Sequence, residues 1–145
     1  MISLISLGFK LQTVDFTVLP EEDTFGYVLR GMAHNNGDFT EHPRKTLGWS
    51  IFISPFFNMT NSNNFLDYVN IVRGLGLAIS IITIVPMYLL SRKFFDVKYS
   101  LCAVGLFAFE PHLNHVSGLG FTEPLYILAT ILSLYFILNK NSNYS

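Results

Sequence analysis

Apolar residues along this chain gather into blocks too long and too continuous for strands. The clearest is Leu75–Leu90, LGLAISIITIVPMYLL, which carries no charge. Its roughly 16 residues would rise about 24 Å as a helix. Extending it back to Val69 gives about 22 residues, enough to cross a hydrocarbon core of about 30 Å. Arg73 then sits near one end. Pro86 sits inside and predicts a kink, which a membrane helix tolerates where neighbours satisfy the freed carbonyl. Tyr99–Phe109 and Pro124–Leu138 are shorter runs of about 11 and about 15 residues, readable as spans with polar extensions or as helices packed within protein. Leu47–Phe57, interrupted by Pro55, reads as interfacial or re-entrant. The opening MISLISLGF is too short to span and lacks the basic start and cleavage site of a secretory signal. It reads as the tail of a longer first span.

Between these blocks the pattern changes. Phe25, Val28, Leu29 and Met32 recur at i, i+3, i+4 and i+7, one face of an amphipathic helix. Pro20 suits a first turn, and Glu21 and Glu22 suit its positive end. The pattern predicts a surface-lying helix from Pro20 to His34, stopped by Asn35-Asn36-Gly37. Asn64 is a good N-cap for a second, shorter helix with Asp67 in its first turn. The polar Asn58–Asn64 stretch is a connector containing a glycosylation sequon, and the last residues, 139–145, form a polar tail expected to be disordered. The predicted class is therefore all-α and multi-span. Membrane helices cover 69–90, 99–111 and 122–138, and an outward loop over 15–68 carries the surface helix.

Composition strengthens the membrane reading. Half of the 145 residues are hydrophobic and only 13% are charged, against about 25% in an ordinary soluble domain. The mean hydropathy is +0.41. A net charge of −1 provides no basic field for nucleic acid. The single cysteine, Cys102, excludes an internal disulfide and is expected to be a small buried residue. Arg92, Lys93 and Lys98 in the loop Ser91–Ser100, and Lys140 after the last apolar run, mark a cytoplasmic side. The acid-bearing segments 15–68 and 110–123 would then both face outward.

Several groups are candidates for chemistry. Glu21-Glu22-Asp23 could supply a general base, since neighbouring carboxylates at a low-dielectric interface raise one another's pKa. The same acids could simply stabilise a helix start, by about 0.3–1 kcal/mol each. Glu123, between Thr122 and Pro124 at the edge of an apolar run, reads either as a substrate-side carboxylate or as a helix-start acid. Arg73 reads as a phosphate-holding guanidinium or as an arginine snorkelling from a helix end. His112 and His115 lie near Glu110, but Pro111 intervenes and no third ligand has a recognised spacing, so no metal site is expected. His34 and His42 read as solvated loop histidines. No phosphate-cradling glycine loop, serine elbow or cysteine pair is present, and no cofactor is implied.

The order of these pieces resembles the membrane glycosyltransferases of the protein O-mannosyltransferase type, the GT-C class, similar to glycosyltransferase family 39. An acidic motif with a surface helix matches Glu22-Asp23-Thr24-Phe25-Gly26-Tyr27. A proline- and glycine-bearing stretch matches His42-Pro43 and Leu47-Gly48-Trp49. An arginine opening a long span matches Val72-Arg73-Gly74, and a basic turn matches Leu90-Ser91-Arg92-Lys93-Phe94-Phe95. A span ending in proline matches Phe109-Glu110-Pro111-His112, and a threonine–acid pair matches Thr122-Glu123-Pro124-Leu125. The likeness runs over residues 15 to 138.

The resemblance implies a polyprenyl-phosphate-linked sugar as donor and the hydroxyl of a protein or lipid as acceptor. It implies Asp23 as catalytic base with Glu22 second. Glu123, Arg73 and His42 would lie on the substrate side, with Glu123 at the same cavity as Asp23. Enzymes of this type are several times longer, so the chain reads as an N-terminal fragment, its remaining spans supplied by further sequence or by another chain. The family's usual aspartate–glutamate order is shifted at Glu22-Asp23. The alternative is a small non-enzymatic membrane protein that binds lipid or a partner helix.

Overall fold

The computed structural model describes residues 1–40, 47–60, 62 and 64–142. These residues form helices and connectors, with no strand among them. The helices are α1 (Ile2–Thr13), α2 (Glu22–Asn35), α3 (Leu47–Ile53), a 3-10 turn (Ser54–Met59), α4 (Phe65–Ser91), α5 (Val97–Ala108), α6 (Pro111–Leu119) and α7 (Glu123–Ser142).

The central element is α4, 27 residues long. The side chain of Asn64 accepts the Leu66 N–H at 3.1 Å and caps its start. The expected short helix at Asn64 and the expected span are thus one continuous rod. It runs through Pro86 and ends at Ser91. It is long and apolar enough to cross a membrane. Only 39% of its most apolar stretch is buried against the rest of the chain, so Ile82, Val85 and Leu89 stand on the outer surface.

Helices α7, α5, α6 and α1 all pack along α4. Leu125 and Leu128 of α7 join the core of Val69, Val72 and Ile79. Near the other end of both helices, Lys93 Nζ donates to Asn139 Oδ1 at 2.8 Å. Helices α4 and α7 therefore run side by side in the same direction. Helix α5 returns along α4, placing Val104 and Ala108 against Ile84. Helix α1 also runs opposite to α4, since Ile2 packs at the Ile84 cluster while the chain after α1 reaches Arg73. Hydroxyls on the apolar helices bond back to their own backbone: Thr83 to the Ile79 carbonyl at 2.7 Å, Ser133 to Ala129 at 2.7 Å. That satisfies them without water.

Several boundaries depart from expectation. A helix over 99–111 does not form; α5 stops at Ala108, and the Glu110 carboxylate accepts the Leu113 N–H to cap a separate helix, α6. The N-cap and Pro111 in the first turn explain the break, because both favour starting a helix. The stretch 110–123 is therefore largely helical. Helices α6 and α7 meet at a bend of 120° around Gly120, and together they are apolar enough to count as one broken span. Helix α7 continues into the polar tail as far as Ser142. Cys102 is exposed on α5, not buried.

The amphipathic segment forms α2 as its periodicity required, starting two residues later than expected because the chain remains extended to Glu21. Gly31 lets this helix approach closely. A Cβ there would lie 2.7 Å from a ring atom of Phe57 and 3.1 Å from Ile53. Residues 47–57 are helix and 3-10 turn, packed on α2 through Trp49, Ile53 and Phe57.

Candidate functional site around the α6–α7 bend

Four segments converge on Gly120. Its φ of +83° is the left-handed conformation that glycine adopts without penalty. A Cβ on it would lie 3.0 Å from Val72 Cγ1, 3.2 Å from Thr24 Cγ2 and 3.6 Å from the Arg73 nitrogen. Two hydrogen bonds fasten the outer helices here. Thr24 Oγ1 donates to the Leu119 carbonyl at 2.6 Å, and Trp49 Nε1 donates to the Gly120 carbonyl at 3.1 Å. Both carbonyls belong to the frayed end of α6, where no intrahelical donor remains for them. The first turn of α2, bearing Glu22 and Asp23, is thereby held at the bend that precedes Glu123.

Beside this junction lies a cavity of about 220 Å3, lined by Asp15, Glu21, Arg73, Asn114, His115 and neighbouring apolar residues. Arg73 is buried, and its guanidinium reaches across to the chain between α1 and α2. Nη1 donates to the Asp15 carbonyl at 3.2 Å and to Asn70 Oδ1 at 3.3 Å, and Nη2 donates to the Val18 carbonyl at 3.0 Å. Three of about five N–H groups are thus spent inside the fold. Arg73 is neither a snorkelling side chain nor a guanidinium given wholly to a ligand. Its Nε, and both polar atoms of the buried Asn114 amide, have no hydrogen-bond partner among the described residues. The Asp15 carboxylate accepts the Thr17 hydroxyl at 2.6 Å and the Thr17 N–H at 2.8 Å. The hydroxyl above all, then the N–H, holds its pKa below the usual carboxylate range. Glu110 is held low as well, chiefly by the Leu113 N–H.

Glu22 and Asp23 are exposed in the first turn of α2, immediately after the cavity-lining Glu21. Glu123 is the first residue of α7, and the Thr122 carbonyl accepts the Tyr126 N–H at 3.1 Å as the helix begins. The Thr122 hydroxyl lies 3.5 Å from Glu123 Oε2. Glu123 borders a different, narrow cavity of about 20 Å3, shared with Lys10, Ser80 and Thr83. The first-loop acids and Glu123 thus flank one bend but do not line one cavity. His42 lies outside the described residues. His34 is buried rather than solvated. Among the described residues no three metal-binding side chains come together.

Sequence reasoning passed over Asn114 and Lys10. Lys10 is buried on α1, its Nζ 3.4 Å from Ser117 Oγ. Its position in an apolar helix was a usable signal, since a charge there needs a polar partner. Asn114 carried no such signal, being one polar residue in a polar stretch. The chain, compared with protein-family models, with curated proteins and with solved structures, matches none of them.

Proposed function

We propose that the chain belongs to the catalytic region of a membrane-embedded, inverting glycosyltransferase. It would move a sugar such as mannose from a polyprenyl monophosphate to the hydroxyl of a protein or lipid acceptor. The observation that carries this reading is the fastening of the acidic start of α2 to the α6–α7 bend through Thr24 and Trp49. It supports a working arrangement in which carboxylates from two separated parts of the sequence flank one bend.

In this reading α4, α5 and the α6–α7 pair cross the membrane, and the acidic loop faces the extracytoplasmic side. The exposed apolar side chains on the three helices, such as Ile82, Leu106 and Phe136, support a lipid-facing surface. The Lys93–Asn139 contact supports a shared cytoplasmic end for α4 and α7.

The chemistry follows from the groups. The Asp23 carboxylate, or Glu22 beside it, accepts the proton of the acceptor hydroxyl. The oxygen attacks the anomeric carbon, and the carbon–oxygen bond to phosphate breaks, the pair leaving with the lipid phosphate. Donors facing that phosphate stabilise it; Arg73 has two N–H groups left to contribute.

The test is transfer from radiolabelled polyprenyl-phosphate mannose in membranes. It compares this chain, a version extended through any downstream coding sequence, and each with Asp23→Asn. Transfer lost in Asp23→Asn, with normal membrane insertion, is the expected result. Full transfer by Asp23→Asn moves the base to Glu22 or Glu123. No transfer by any form defeats the proposal and favours a non-enzymatic membrane protein.

A further inference from the structure

The sequon Asn58-Met59-Thr60 closes the 3-10 turn Ser54–Met59, shortly before α4 begins. In a 3-10 turn, positions three apart share a face. Ser54 and Phe57 form the buried face, Phe57 at only 2% exposure. Pro55 and Asn58 form the exposed face. The Asn58 side chain therefore lies on the side away from the core that Phe57 enters.

The chain stays accessible after Asn58. Met59 is 80% exposed. The Thr60 N–H donates to the Phe57 carbonyl at 3.2 Å, and the backbone at Thr60 is already extended, with φ −132° and ψ 136°. Thr60 borders an open groove with Phe56, Met59 and Asp67. A bulky group on Asn58 would displace no packed side chain. The sequon also lies at one end of the long axis of the fold. Helix α4, capped by Asn64, provides about 40 Å of helix from its 27 residues. The basic turn with Arg92 and Lys93 lies at its far end. A second sequon, Asn143-Tyr144-Ser145, follows α7 in the sequence, after the end of α7 that meets Lys93 through Asn139.

We propose that Asn58 is an N-glycosylation site, taking an oligosaccharide from a polyprenyl-diphosphate donor through a separate membrane transferase. The Asn58 amide nitrogen bonds to the anomeric carbon. The bond from that carbon to the diphosphate oxygen breaks, its electron pair leaves with the lipid diphosphate, and one amide proton passes to the same group. A glycan is bulky and solvated, which suits an exposed turn carrying the hydroxyl residue two positions on. The proposal rests on the extracytoplasmic placement of residues 15–68 given above. Asn143 falls on the cytoplasmic side in that reading and stays unmodified.

The test translates the full chain into sealed microsomes of the endoplasmic reticulum, which hold such a donor and transferase. A slower-migrating band that peptide N-glycosidase removes is the expected result. Asn58→Gln and Thr60→Ala should each abolish the band, while Thr60→Ser and Asn143→Gln keep it. Met59→Cys combined with Cys102→Ser reports sidedness independently, through an impermeant maleimide added to intact and to detergent-opened vesicles. No glycan on the parent chain, with the thiol at position 59 shielded until the vesicles are opened, overturns the proposal and leaves the topology standing. No glycan, with that thiol labelled in intact vesicles, overturns both. A band that survives Asn58→Gln overturns the assignment to Asn58.

Discussion

The indole N–H of Trp49 donates to the carbonyl of Gly120 at 3.1 Å, joining residues about 70 positions apart at the bend between α6 and α7. Gly120 carries the left-handed turn, and Trp49 is buried at 2% exposure. Gly120→Ala should cost about 2 kcal/mol, since a left-handed residue with a Cβ costs about 1–2 kcal/mol and the new methyl meets Val72 at 3.0 Å. Trp49→Phe should cost at least about 1 kcal/mol, because it leaves the carbonyl unpaired. Unfolding in mixed micelles, followed by circular dichroism, measures both. An unchanged midpoint in Gly120→Ala would show that the bend does not need its left-handed turn.

Arg73 clips the segment between α1 and α2 onto α4 through the carbonyls of Asp15 and Val18. A lysine has one terminal nitrogen and cannot reproduce the two-armed reach. Arg73→Lys should therefore lose about 1.5–3 kcal/mol. It should also release residues 14–20 to limited proteolysis while α4 stays protected. Equal cleavage rates in the two proteins would rule out the clip.

Two glycines on α4, two positions apart, should respond in opposite ways. A Cβ on Gly76 would stand 2.5 Å from the Ser117 carbonyl oxygen, a backbone atom that cannot swing away. A Cβ on Gly74 meets nothing within 4 Å. Gly76→Ala should push α6 off α4 at a cost of about 3 kcal/mol, in the upper range of overpacking. Gly74→Ala should stabilise by up to about 1 kcal/mol through helix propensity. Melting curves of the pair decide, and a stabilised Gly76→Ala would refute the close contact.

Acid should weaken the fold through Asp15 and Glu110. Both have folded pKa values below their unfolded ones, so each contributes stability fully present above the unfolded value near about 4. That stability is lost as pH falls through the lower, folded value. Stability measured from neutral pH downward should hold until the carboxylate range and then decline. Asp15→Asn should flatten part of that decline; an unchanged pH profile would remove Asp15 from it.

Much of this molecule was legible before folding. The 3.6-residue spacing of Phe25, Val28, Leu29 and Met32 marked α2, and the uncharged run at Leu75–Leu90 marked α4. Both signals are local, because periodicity and hydropathy act over one or two turns. Boundaries were less legible. Asn64 was recognised as a cap, yet whether its helix ended or ran on into the apolar block depended on the packing of Val69 and Val72. Glu110, placed by the sequence at the end of an apolar run, proved to be the cap of α6.

What the sequence by itself determined is the helical, apolar character of the chain and the presence of acids at two helix starts. Each follows from residues adjacent along the chain. Which of those residues meet was decided only by tertiary structure. Thr24 and Trp49 reach carbonyls at positions 119 and 120 because Gly120 leaves room for both, and Arg73 is spent on carbonyls from a loop more than fifty residues earlier. Orphaned carbonyls at a helix end accept a bond from whatever donor packs against them. That choice depends on the approach of whole helices, which no local spacing encodes.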